Sequence, residues 1–276
     1  MADNITVLET PEALAERVAA DFAQLVETTL KGQEKFSLAL AGGVTPKQFY
    51  SHLAKEPYKS SIPWEKIWFF WGDERCVPKD HPDSNFRMVA ETLLQFVPAS
   101  PGHVLRMHGE DPPPQAAQEY EKNMRQFFRD SGFWPHFDLI LLGMGLDGHT
   151  ASLIPGTPAV TNHVEEHLGE ERRQPVEGED ATLPAGRQAR WVVNNVVRAQ
   201  QTVRLTLTYP VINQAKHIWF LVTGAKKAPA FAEVQKAPNP AWPASLVQPV
   251  QGELKWYVDK SVTQREESWQ TLRSKR

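Results

Sequence analysis

The sequence is poor in cysteine, with Cys76 alone among 276 residues. No intrachain disulfide can form, which excludes a small secreted scaffold stapled by disulfides. A lone cysteine of this kind reads as a small, half-buried residue before it reads as a nucleophile. Long hydrophobic runs are also missing: no stretch approaches the roughly 20 apolar residues of a membrane span. The first ten residues, Met1 to Thr10, have neither a basic n-region nor an apolar h-region. The cytoplasm is therefore the expected compartment, with no membrane partner. An excess of one charge is lacking too, since Lys plus Arg number 30 against 33 for Asp plus Glu, a formal net charge of -3. A general nucleic-acid binder would carry a basic excess, so nucleic acid is not an expected partner. A small anion needs only a few well-placed cations and stays admissible.

What is present is an ordinary globular composition, 41% hydrophobic and 23% charged. The length suits one large α/β domain or two small ones. No repeat or linker divides the chain, so residues 1–276 are read as one domain. The stretch from about Asn162 to Arg190 differs from the rest. Rich in Glu and Arg and interrupted by Gly169, Pro175, Gly178, Pro184 and Gly186, it reads as a long, exposed loop insertion.

Four short apolar runs each stop at a glycine: Phe36–Ala41, Ile67–Trp71, Phe137–Leu142 and Ile218–Thr223. Runs so short and so continuously apolar are the signature of strands buried on both faces, as in a parallel sheet. Helical spacing of apolar residues fills the intervals at Pro11–Leu30, Ser84–Phe96 and Gln115–Phe128. The alternation predicts an α/β fold with a doubly wound, mainly parallel sheet and helices on both faces, Rossmann-like in layout. Ligands of such sheets bind beyond the carboxyl ends of the strands. The four glycine-ended runs would then deliver Gly42–Pro46, Asp73–Arg75, Met144–Thr150 and Ala225–Lys227 to one edge, as one site built from four loops.

Each motif has a bland alternative. Gly42-Gly43-Val44-Thr45-Pro46 joins a strand to a helix, with Thr45 expected as the cap and Pro46 in the first turn. Its glycines would let backbone N–H groups and the helix dipole approach a phosphate, although a tight unliganded turn has the same spelling. Gly143-Met144-Gly145-Leu146-Asp147-Gly148 spells GxGxxG, but Pro155 would cut the following helix short and Asp147 would repel a pyrophosphate, so a dinucleotide is rejected. What remains is a glycine-rich loop holding Asp147 two residues from His149. That spacing suits a carboxylate orienting an imidazole of near-neutral pKa. His163-Val164-Glu165-Glu166-His167 matches a zinc pattern, but Pro158 and Gly169 bracket it closely, and it is read as a solvated turn. Arg204 sits in an alternating strand-like stretch. Lys227 opens a helix where a cation opposes the dipole, which an anion nearby would explain.

In order along the chain, Ala41–Pro46, Trp71–Pro78 with Ser84-Asn85, Gly143–Gly156, Arg204–Thr206, Ile212-Asn213, Thr223–Ala228 and Pro243–Ser245 resemble the 6-phosphogluconolactonase family, within the sugar-phosphate isomerase and deaminase superfamily. The resemblance implies hydrolysis of 6-phosphoglucono-δ-lactone in the pentose phosphate pathway, with a small sugar phosphate as the partner and no metal or organic cofactor. It implies His149 as general base, Asp147 as its orienting group and Arg75 at the oxyanion. Gly42, Gly43, Thr45, Asp73, Arg204 and Lys227 would bind substrate and its phosphate, Lys227 being preferred to Lys226. A monomer or small homo-oligomer is compatible with it. Two relatives of different activity are alternatives: glucosamine-6-phosphate deaminase, and a sugar-phosphate-sensing domain without turnover. The deaminase family carries a glutamate in an Asn-Glu-Pro run shortly after its histidine. Here that stretch is Ala151-Ser152-Leu153-Ile154-Pro155, with no carboxylate. A sensing domain would usually add a DNA-binding module, and none is visible.

Overall fold

The computed structural model describes residues 4–161 and 190–264. The expected loop insertion therefore lies, except for Arg190, outside the described residues, as does the His163–His167 motif. Nine strands are described: β1 (Ile5–Leu8), β2 (Phe36–Leu40), β3 (Ile67–Trp71), β4 (Asp73–Arg75), β5 (Leu139–Leu142), β6 (Val192–Val197), β7 (Thr202–Leu207), β8 (His217–Val222) and β9 (Glu253–Asp259). Six form one sheet in the order β1-β9-β8-β5-β2-β3, with every neighbouring pair parallel. The remaining three form an antiparallel sheet, β4-β7-β6.

Burial on both faces explains the continuous apolar runs. All five residues of β2 and all four of β5 are buried. Successive side chains on β3 leave on opposite faces. Phe69 stacks on Trp64 at 6.4 Å between ring centroids, and Trp64 meets Phe22 of helix α1 (Pro11–Thr29) at 6.3 Å. Phe70 meets Phe127 at 5.1 Å and Phe137 at 5.2 Å, at the end of the helix Pro113–Phe127. Neighbouring phenylalanines thus hold helices against opposite faces of the sheet.

The order of strands reverses next to β2. The chain passes from β2 to β3 on one side, while β5 lies on the other side and leads outward to β8. A crevice beyond the carboxyl ends of β2 and β5 follows from that reversal. At the end of β3, Gly72 belongs to both sheets. Its N–H donates to Leu40 O at 2.9 Å in the large sheet, and its carbonyl accepts from Leu207 N at 2.9 Å in the small one.

Three local expectations are corrected. Thr45 does not cap the helix that follows β2: α2 (Val44–Leu53) has Gly43 as its N-cap, at φ 102°, and Thr45 already lies inside the helix. Only a glycine takes that backbone conformation without strain. The Ser84–Phe96 helix is α-helical over Asn85–Val89 and then widens, so that Gln95 N bonds Ala90 O five residues back. The strand expected to begin at Phe137 begins at Leu139. Before it, the Asp138 carboxylate accepts from Ser37 N at 2.8 Å and Ser37 Oγ at 2.9 Å, replacing ladder bonds by side-chain bonds.

Phe70→Ala should destabilise the fold by about 3–5 kcal/mol, the usual cost of emptying a packed phenylalanine site. Urea unfolding would measure it as a lowered midpoint with an unchanged slope.

Candidate active site

A cleft of about 630 Å³, including the solvent at its mouth, lies at the carboxyl edge of β2, β3, β5 and β8. All four glycine-ended loops reach it. Its lining includes Gly42, Gly43, Thr45, Asp73, Arg75, His149, Arg204 and Lys227. Asp147 is not part of the lining and stands behind His149.

The loop after β5 is built around one short bond. His149 Nδ1 lies 2.5 Å from Asp147 Oδ1, and His149 N donates to the same oxygen at 3.2 Å. That hydrogen bond holds the Asp147 carboxyl below its ordinary pKa, against the opposing effect of partial burial. A carboxylate at Nδ1 assigns the proton to that nitrogen and leaves Nε2 as the acceptor. The backbone needs small residues to do this. A Cβ on Gly145 would fall 2.1 Å from His149 Nδ1 and 2.7 Å from Asp147 Oδ1. Gly148, at φ 72°, packs against Trp242, whose Cε3 would lie 2.7 Å from an added Cβ. Ala151 has a positive φ of 46°, a strain of about 1–2 kcal/mol for a residue with a Cβ. On either side of it, Thr150 and Ser152 are fully buried and hydrogen-bonded. Gly148 is followed by turns through Gly156, so not even the short helix expected before Pro155 forms there.

On the other side of the cleft, α2 begins with backbone N–H groups that have no partner within their own helix. Gly42 lies directly over Asn85, whose Oδ1 would be 2.0 Å from an added Cβ. The Thr45 hydroxyl shares a 2.7 Å hydrogen bond with that of Thr223, tying α2 to the end of β8. Lys227 is partly buried and lines the cleft, whereas Lys226 is exposed and does not. Burial lowers the Lys227 pKa, an effect that Asp259 opposes.

The small sheet supplies the remaining cations. In its register Arg75 of β4 stands directly opposite Arg204 of β7. Like charges so placed repel, and the Arg204 pKa is lowered first by burial and then by Arg75. Arg75 Nη1 donates to Asp83 O, and Arg204 Nη2 donates to Gln200 Oε1 at 2.7 Å. Both Nε atoms are buried with no partner among the described residues. Two such guanidiniums side by side are the electrostatic signature of an anion site. Among the described residues, Asp73 is the one carboxylate in the lining. It is buried, accepting from Ser152 Oγ at 2.6 Å and Asn85 Nδ2 at 3.3 Å. Glu74 is buried as well, accepting from Asn85 N, Phe86 N and Arg75 N. Its pKa is raised by burial, against those three donors.

Eight of the expected site residues, Gly42, Gly43, Thr45, Asp73, Arg75, His149, Arg204 and Lys227, thus line one cleft, and Asp147 is bonded to His149 beside it. Cys76 is half-buried, and its thiol is pushed up to about 11, first by burial and then by Glu74, so it carries no reactive thiolate. Among the described residues no group of three or more His, Cys, Asp or Glu side chains could hold a metal ion, and no helix is long and apolar enough to cross a membrane. Asn85, Ser152 and Trp242 were missed as supports of the site. Asn85 and Ser152 could have been taken from the blocks that contain them, but nothing in the sequence marks Trp242 as a neighbour of Gly148.

Gly145→Ala should drive the imidazole away from Asp147 while leaving the distant core intact. The low-field Nδ1 proton of His149 would then vanish from the NMR spectrum with little change in Tm. The Asp147 pKa is lower folded than unfolded, so the pair stabilises the protein above the unfolded value. That contribution is lost as pH falls through the folded value. Asp147→Asn should flatten this part of the acid-side stability curve, measured by thermal unfolding between about pH 5 and pH 2.

Comparison with known proteins identifies the family. The family model described as glucosamine-6-phosphate isomerases/6-phosphogluconolactonase matches residues 9–256. A 6-phosphogluconolactonase of Synechocystis is 39% identical over 265 residues, covering 94% of this chain and 97% of its own. One from Nostoc is 37% identical over 264 residues, covering 94% and 96%. The solved 6-phosphogluconolactonase of Trypanosoma brucei superposes with a TM-score of 0.74 at 26% identity, covering 94% of this chain and 97% of its own. With a match that runs through all four loops of the cleft, the chain belongs to the 6-phosphogluconolactonase family within the glucosamine-6-phosphate isomerase/6-phosphogluconolactonase superfamily.

Proposed function

We propose that this protein is a lactone hydrolase that converts 6-phospho-D-glucono-1,5-lactone to 6-phospho-D-gluconate, with His149 as the general base. The observation that carries the reading is the 2.5 Å contact between His149 and Asp147 at the edge of a cleft whose lining includes Arg75, Arg204 and Lys227. Its relatives' lactonase names support the choice of substrate.

In the proposed reaction, His149 Nε2 takes a proton from water as the water oxygen attacks the lactone carbonyl. Asp147 accepts from Nδ1–H and stabilises the imidazolium that forms. Negative charge develops on the former carbonyl oxygen, where the Arg75 guanidinium and backbone N–H groups stabilise it. The tetrahedral intermediate collapses, the bond from C1 to the ring oxygen breaks, and the imidazolium returns its proton to that oxygen. The products are a free carboxyl group and a hydroxyl. The activated ester needs only water, a base and charge stabilisation, so the proposed mechanism uses neither metal nor organic cofactor.

Phosphate binding is assigned to the start of α2 with Gly42, Gly43 and Thr45, together with Arg204 and Lys227. A dianion there would reverse the electrostatic cost of burying Lys227 and of pairing Arg204 with Arg75. Asp73 repels phosphate. As an acceptor in the same cleft it suits a sugar hydroxyl instead, which keeps it among the substrate-binding residues. The deaminase alternative is disfavoured because no carboxylate occurs between Thr150 and Pro155. The cytoplasm is the proposed compartment.

His149→Ala should lower kcat by about two to four powers of ten, measured by stopped-flow on freshly generated lactone and corrected for spontaneous hydrolysis. Near wild-type turnover would overturn the assignment. Arg204→Ala and Lys227→Ala should chiefly raise KM. Glucono-δ-lactone without phosphate should be a markedly poorer substrate, and glucosamine 6-phosphate should not be deaminated.

A further inference from the structure

Ser152 is fully buried, and each of its three polar groups bonds a different strand of the small sheet. Its hydroxyl donates to Asp73 Oδ2 on β4 at 2.6 Å. Its N–H donates to Thr206 Oγ1 on β7 at 3.3 Å. Its carbonyl accepts from Asn195 Nδ2 on β6 at 2.8 Å. Three residues upstream in the same loop is His149, and Ala151 between them holds a positive φ. Two residues along the strands from Asp73 and Thr206 are Arg75 and Arg204, and Asn195 is the register partner of Arg204.

The loop carrying the base leaves the large sheet from β5, whereas both guanidiniums stand on the small sheet. Their relative position is therefore not set by either sheet alone. Van der Waals packing tolerates sliding, but three hydrogen bonds to three strands define a position in every direction. Losing the hydroxyl would also leave Asp73 Oδ2 buried with its 2.6 Å donor gone. A misplacement of about 1 Å in a catalytic group costs on the order of a hundredfold in rate.

We propose that Ser152 is a positioning residue, which registers the His149 loop against the small sheet and thereby aligns the base with Arg75 and Arg204. It touches no reacting atom. Its action rests on the lactonase reading for the kinetic test but not for the spectroscopic one. Of the groups assigned to phosphate, Gly42, Gly43, Thr45 and Lys227 hang on the large sheet and Arg204 on the small one, so the ligand keeps most of its contacts and should be held nearly as well without Ser152.

The test compares wild type with Ser152→Ala, Asp73→Asn and the double variant, using 6-phosphogluconolactone for turnover and 6-phosphogluconate for binding. Ser152→Ala should lower kcat by about ten- to a hundredfold while the Kd for 6-phosphogluconate changes less than about threefold. Its His149 ring resonances should shift or broaden, and adding it to Asp73→Asn should cost far less than it does alone, the mark of a shared interaction. A merely structural role would lower Tm and the active fraction, leaving kcat per folded molecule and the His149 signals unchanged. Wild-type kcat together with unmoved His149 resonances would overturn the proposal. If Ser152→Ala does not fold, Thr206→Val removes another of the three bonds and should give the same kcat-selective loss. Unaltered kcat and an unmoved His149 there would overturn the proposal equally. If the wild type fails to hydrolyse the lactone, the lactonase reading falls, and the His149 resonances of the same variants still decide the role of Ser152.

Discussion

The large sheet must be covered on both faces, and most other features of the molecule follow from that constraint. Strands such as β2 and β5 are wholly buried and offer no polar surface of their own. Polar groups that the large sheet presents to the cleft are thereby confined to the loops where its strands end. The reversal of strand order beside β2 opens a crevice at that edge. Helix α2 starts beside it at Gly43, with its dipole and free N–H groups. The helix N-terminus at the cleft and the location of the cleft itself are two consequences of the same layering.

The small antiparallel sheet adds what the parallel sheet cannot. Through Gly72 the chain leaves one sheet for the other without losing either set of backbone hydrogen bonds. The step sets Asp73, Glu74 and Arg75 beside β7 and pairs Arg75 with Arg204. Placing two guanidiniums together costs electrostatic energy, and burying Glu74 and Asp73 costs more. The donors from Ser152, Asn85, Phe86 and Arg75 compensate the carboxylates. The guanidiniums keep buried Nε atoms without a partner among the described residues. The carboxylates find their donors within the fold itself.

In the loop after β5, backbone geometry and side-chain chemistry are inseparable. Gly145 makes room for the imidazole, Gly148 admits Trp242, and Ala151 bears strain between two buried hydroxyl anchors. The Asp147–His149 contact is therefore built by the loop rather than found by two free side chains. The Asp147 pKa is lowered because the imidazole donates to the carboxylate, against the opposing effect of partial burial.

Much of this was legible in the residues. Continuous apolar runs ending at glycine marked β2, β3, β5 and β8, because burial on both faces leaves no alternative pattern. The Asp-Gly-His spelling and the two-glycine turn marked the loops that matter, since few residues tolerate those backbones. Local errors came where side chains replaced backbone bonds, as at Asp138, and where glycine rather than threonine capped α2. What the residues alone could not decide was long-range pairing. Nothing local to Arg75 says that it faces Arg204, 129 positions along the same numbering. Nor does anything near Ser152 name Asp73, Thr206 and Asn195 as its partners. Those contacts depend on the register between two sheets. Register is set by the packing of the whole chain, not by any segment read on its own.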